Sequence, residues 1–176
     1  MEKEKQQDSK ENEQLEQNKQ EQPLSFTSKI VTIGIAGGLF WGLIGYLTYL
    51  FKFTKIPPSL ILSPWALGEW KNEQLGQWIG ILSIGLVSIL VAFLYKITLV
   101  KINNMLAGLA YGVVLWIIVF YLLNPMFIDL PTITKLDRNT VITTICLYLL
   151  YGVFIGYSIS FEYHENQQKG TSYSNK

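Results

Sequence analysis

From residue 30 to residue 161 the chain alternates long uncharged stretches with short charged interruptions. The uncharged stretches are 30–51, 74–95, 102–128 and 139–161, each at least 22 residues long. A soluble element mixes polar and apolar positions at the period of its fold, and these stretches do not. At about 1.5 Å of rise per residue, each as a helix exceeds the roughly 30 Å of a bilayer's hydrocarbon core. In hydrocarbon a single spanning segment must pair its own backbone donors and acceptors, which requires a helix. The pattern therefore predicts an all-α fold, an integral membrane four-helix bundle with helices at about 30–51, 75–95, 103–125 and 140–161. The second span opens on Gln74, Gly76 and Gln77 and is the least apolar at its start. Asn124–Pro125 predicts that the third ends or kinks there, because proline lacks an N–H and restricts the residue before it.

The flanks are different in kind. Residues 1–29 hold twelve of the 27 acidic and basic residues. Residues 1–25, rich in Gln, Glu, Lys and Asn, bury too little apolar surface to offset ordering, and the expectation is a disordered polar N-terminal tail. It reads as a solvated extension rather than a docking tail. The membrane domain is then 26–163, and 164–176 is a second polar tail. No signal peptide is recognisable, so the first span directs insertion. Four spans place both termini on one side. The short connection carrying Lys96 and Lys101 is dense in positive charge, which favours the cytoplasm and puts both termini there. The opposite loops also carry Lys52, Lys55, Lys71, Lys135 and Arg138, so the bias lies in density rather than number.

Aromatic residues gather where headgroups should lie: Trp65, Trp70 and Trp78 around the start of the second span, Tyr46, Tyr49, Phe51 and Phe53 at the end of the first, Tyr95 at the end of the second, and Phe161 and Tyr163 at the end of the fourth. Such rings prefer an amphipathic boundary and fix helix ends in depth. In the loop 52–73, Pro57 and Pro58 stop the incoming helix, and Ser63–Pro64 has the form of an N-cap and first turn. Trp65, Glu69, Trp70 and Lys71 then predict a short amphipathic helix on the membrane surface and a partner-binding outer loop.

Within the spans, glycines recur at helical spacing. Gly34, Gly38 and Gly42 lie on one face of the first, with Gly45 beyond; Gly76 and Gly80 begin the second; Gly108 and Gly112 mark the third, and Gly152 and Gly156 the fourth. Without side chains, helices approach closely and gain dispersion contacts, so these stripes are expected to pack helices. Oligomerisation and a glycine-lined pore are the alternatives.

Chemistry is sparse. The net charge of +1 gives no sign of nucleic-acid binding. One cysteine, Cys146, and one histidine, His164, rule out an internal disulfide and disfavour a metal cluster. No ionisable residue lies in the middle of a span, where proton relays and ion sites place them. No catalytic residue, metal site or cofactor is expected. Cys146 reads as a packing residue and His164 as solvated. Asp137 has the place of a cap for the fourth span. Glu69 and Asp129 are the pair an enzymatic reading would need to bring together.

The run PWALGEWK at residues 64–71, in a four-span chain of this size, resembles the YqhR family of conserved membrane proteins of spore-forming Bacilli, over about residues 24–165. The resemblance implies a bacterial plasma-membrane location and this architecture, and carries no site. The expected role is a non-enzymatic envelope interaction or structural component, in contact with the lipid bilayer and with another membrane protein or a second copy. A small-solute channel or permease and a membrane-embedded enzyme are the rivals.

Overall fold

In the computed structural model, residues 25–66, 68–102, 105–127 and 130–174 are described; the tail expected as disordered lies, up to residue 24, outside them. Among the described residues there is no strand. Four helices are long and apolar enough to cross a membrane. They are built on α1 (Phe26–Leu50), α2 (Gln74–Thr98), α3 (Met105–Ile117), whose span is completed by the turn to Leu122, and α4 (Arg138–Ser174). α1, α2 and α4 outrun their uncharged stretches. The α4 helix continues to Ser174 through the segment expected as a polar tail, Gly170 included, with no proline to end it.

The third span ends at the Asn124–Pro125 step, as expected, after a change of winding. Its α-helix stops at Ile117 and continues as a π-turn over Ile118–Leu122, closed by the Leu123 N–H donating to the Ile118 carbonyl at 2.8 Å. A 3-10 turn, Asn124–Met126, follows with Pro125 inside its first turn. Proline removes one backbone donor and crowds the carbonyl four residues back, so the regular ladder cannot pass it. The wider turn is held by Trp116 and Phe120, stacked at 5.1 Å, and by Phe120 edge-on to Tyr148 at 6.0 Å.

Helices pack as two hairpins. α1 lies against α2, α3 against α4, and the hairpins meet mainly along α1 and α4. The glycines explain the closeness within each. A Cβ built on Gly34 would stand 3.0 Å from the Ile89 Cα, and one on Gly38 2.8 Å from the Gly85 Cα. A Cβ on Gly152 would stand 2.5 Å from the Gly108 carbonyl oxygen, and one on Gly156 2.7 Å from the Gly108 Cα. Gly112 abuts the Tyr148 carbonyl as tightly. Gly42 has only ordinary contacts, and Gly45 faces open space.

Between hairpins the contacts are side chains. Gly37 meets the Phe154 ring, and Ile30, Ile155 and Ile159 are fully buried in one cluster with Tyr95 and Ala92. Hydroxyls bridge the helices: Ser88 with Tyr151 at 2.5 Å, Tyr95 with Ser160 at 3.3 Å, and Tyr111 donating to the Val91 carbonyl at 2.7 Å. Within the second hairpin the Trp116 indole N–H donates to Thr144 at 3.2 Å. Such bonds contribute about 1 kcal/mol each in a bilayer. Tyr95 is thus no interfacial anchor. It is 0% exposed, edge-on to Tyr111 at 5.1 Å. Outward faces carry the large exposed apolar side chains, among them Leu82, Leu86, Leu90, Leu106 and Ile142. In water these would be a liability; in lipid they are in their solvent.

Candidate functional site

At the end of the bundle away from the termini, the connection between α1 and α2 folds into a platform. Lys52, at φ 60°, turns the chain out of α1. Pro58 then starts a 3-10 turn, Pro58–Leu62, its fixed φ and missing N–H suiting a first-turn position. Pro58 and Ser59 are buried against α2. Gly80 leaves room for the Pro58 carbonyl, which a Cβ there would meet at 2.6 Å, and Gly76 does the same for the Lys71 carbonyl. Gln77, 4% exposed, accepts from the Ser59 N–H at 3.3 Å and donates to the Ser59 hydroxyl at 3.0 Å. The polar start of the second span is therefore a clamp for the loop.

The surface helix expected over 65–71 does not form. Residues 63–65 are turns, and a 3-10 turn runs over Glu69–Asn72. Gly68 at φ 113° is the reason: this backbone suits glycine and interrupts any helix through it. Ser63 does not act as an N-cap; it follows a 3-10 turn that already began at Pro58. Trp65 is 83% exposed and Trp70 42%. Lys71 is half-buried. The Glu69 side chain and Asp129 lie outside what is described, so their separation is not part of the site.

The same platform reaches α4. The Lys55 N–H donates to the Thr140 hydroxyl at 3.1 Å, and Thr143 donates to the Phe53 carbonyl at 3.3 Å. The Lys55 ammonium pairs with Asp137, whose other oxygen accepts from the Thr140 hydroxyl at 3.1 Å. Asp137 stands at the N-cap position of α4, and its carbonyl accepts from the Val141 N–H at 3.1 Å. The Lys55 hydrogen bond, foremost, holds the Asp137 carboxyl below its ordinary range, aided by Thr140 and the Lys55 charge and opposed by partial desolvation. Between this loop and the α3–α4 connection lies a recess of ≈ 130 Å³, lined in part by Lys55, Lys135 and Asp137.

The opposite end is closed by Lys29 and Glu162, paired at 2.6 Å and only about a fifth exposed. This contact joins the start of α1 to the C-terminal half of α4. The Lys96 ammonium stands 5.1 Å from the centre of the Phe26 ring. Cys146 is exposed on α4 and His164 packs edge-on to Tyr163 at 5.6 Å. Among the described residues no three His, Cys, Asp or Glu side chains converge to hold a metal ion.

One signal for the buried hydroxyls was open to sequence reasoning. On α4 every fourth residue from 140 to 164 is Thr140, Thr144, Tyr148, Gly152, Gly156, Ser160 and His164. Neighbours at that spacing lie one turn apart, so the run forms a stripe winding slowly round the helix, and its residues are all small or polar.

Four apolar helices in two glycine-packed hairpins, with a folded loop platform at one end, define a polytopic membrane protein. The chain belongs to the family described as conserved membrane protein YqhR, whose model matches residues 10–174. It is 48% identical over 163 residues to a Bacillus subtilis (strain 168) protein carried under the name Uncharacterized protein YqhR, covering 92% of this chain and 91% of that one. No solved structure matches.

Proposed function

We propose that the protein is a non-enzymatic component of the bacterial envelope whose loop 52–73 is the contact surface for another membrane protein, with both termini in the cytoplasm. The observation that carries this is Trp65. Among the described residues it is the most exposed large apolar side chain, on a loop whose neighbouring segments are clamped to α2 and α4. A rigidly presented aromatic is what protein interfaces use as an anchor, since little conformational freedom is lost on binding. The pore reading gains no support from the first-span glycines: Gly34 and Gly38 face the α2 backbone, and Gly45 alone is open.

The test is site-specific photocrosslinking in cells from positions 65 and 70, with position 82 on the lipid-facing side of α2 as control. A single protein species captured from 65 and 70, and absent from 82, is expected. Lipid adducts alone from all three positions would reduce the loop to a membrane anchor.

A further inference from the structure

The recess at the loop end of the bundle combines features that neither the helix packing nor the platform requires. Its walls are mostly apolar, contributed by Ile56, Pro57 and Leu60 from one connection and Leu130 and Leu136 from the other. Among the described residues its charged groups are two ammoniums and one carboxylate: Lys55, Lys135 and Asp137. Asp137 is already matched by Lys55, which leaves Lys135 as the positive charge in excess among them. The recess sits beside the first residue of α4, at the end of the bundle where Tyr46 and Trp78 pair at 6.2 Å. Tyr and Trp together mark the headgroup level.

A single excess cation between apolar walls fits a monoanion that carries an apolar body. A recess of ≈ 130 Å³ is on the scale of a headgroup phosphate rather than of acyl chains. The chains would then lie on the outer apolar surface of the helices. Lysine binds phosphate as a point charge without demanding a fixed fork geometry, which suits a partly exposed side chain. We propose that this recess seats the phosphate diester of an anionic phospholipid, with Lys135 as the ammonium that engages it. The site is separate from Trp65 and does not depend on the loop having a protein partner.

The test is native mass spectrometry of the full chain, delipidated in a neutral detergent and titrated with phosphatidylglycerol or with phosphatidylcholine of the same chains. One phosphatidylglycerol is expected to bind in clear preference to phosphatidylcholine. Lys135→Gln, which leaves the Lys55–Asp137 pair intact, should cut that preference about fivefold, the effect of one lysine beside an anionic lipid. Its melting temperature should stay that of the wild type. Lys101→Gln, at the opposite end, should leave the preference unchanged. Equal binding of the two lipids, or equal loss in both variants, would overturn the site. Displacement of the lipid by an equal concentration of inorganic phosphate would overturn the lipid as occupant, because the apolar walls would then contribute nothing.

Discussion

Gly152→Ala tests the packing account most directly. Its new methyl would lie 2.5 Å from both the Gly108 carbonyl oxygen and the Gly112 nitrogen, and 2.6 Å from the Gly112 Cα. All three are backbone atoms, so no side chain can swing aside and α3 must move off α4. Overpacking of this kind costs typically about 1–3 kcal/mol, and rigid neighbours put it at the upper end. Alanine also gains about 1 kcal/mol over glycine within a helix. The matched control is Gly45→Ala, where a Cβ meets nothing within 4 Å. The helical gain is common to both, so their difference isolates the clash, at about 3 kcal/mol or roughly a hundredfold in the unfolding equilibrium. Unfolding in mixed micelles of mild and denaturing detergent, followed by circular dichroism, measures it. Gly45→Ala should equal or exceed the wild type, and Gly152→Ala should unfold at clearly lower denaturing fraction. Equal stability of the two variants would refute close backbone contact between α3 and α4.

Two further outcomes follow from the ion pairs. The Asp137 carboxyl is held below its ordinary value, so its contribution to stability is full above the unfolded-state value and fades as pH falls through the lower folded value. Asp137→Asn should therefore melt below the wild type at neutral pH and coincide with it in strong acid; a constant gap across that window would count against the assignment. Lys29 and Glu162 are partly buried, so Glu162→Gln should cost about 1–2 kcal/mol, between exposed and fully buried pairs. The exchange Lys29→Glu with Glu162→Lys should recover part of that in the same detergent titration, and no recovery would mean that packing rather than charge joins the two helices.

The spans were legible because hydrocarbon imposes a strong rule: a segment crossing it must be long, uncharged and helical. Their ends were less so. Phe26–Lys29 precedes the uncharged stretch yet is helical, because Lys29 finds Glu162 and the Phe26 ring packs against Tyr163 at 5.9 Å. Such long-range partners leave no local trace in sequence. Tyr95 shows the same limit. An aromatic in the last turn of a span has one sequence signature whether it faces headgroups or neighbouring helices, and only the placement of Ser160 and Tyr111 decides. The loop was misread for a local reason. Trp65, Glu69 and Trp70 share a helical spacing, while Gly68 between them takes a positive φ that interrupts the helix and that the sequence alone does not dictate.

The two ends of the bundle differ in a way that bears on function. At the terminal end the hairpins are joined by one ion pair and apolar packing around Ile30 and Ile159. At the loop end the joining is done by the loop itself, through Ser59 and Gln77 to α2 and through Phe53 and Lys55 to α4. A connection needed only to return the chain into the membrane has no reason to bond both hairpins, and a minimal turn would serve. The loop instead places buried polar groups in matched pairs, where one missing partner would leave the other unsatisfied at a cost of about 1–3 kcal/mol. That arrangement ties the start of the loop that carries Trp65 to α4 as well as to its own hairpin. A partner at Trp65 and a phosphate beside Lys135 would each meet a surface already formed.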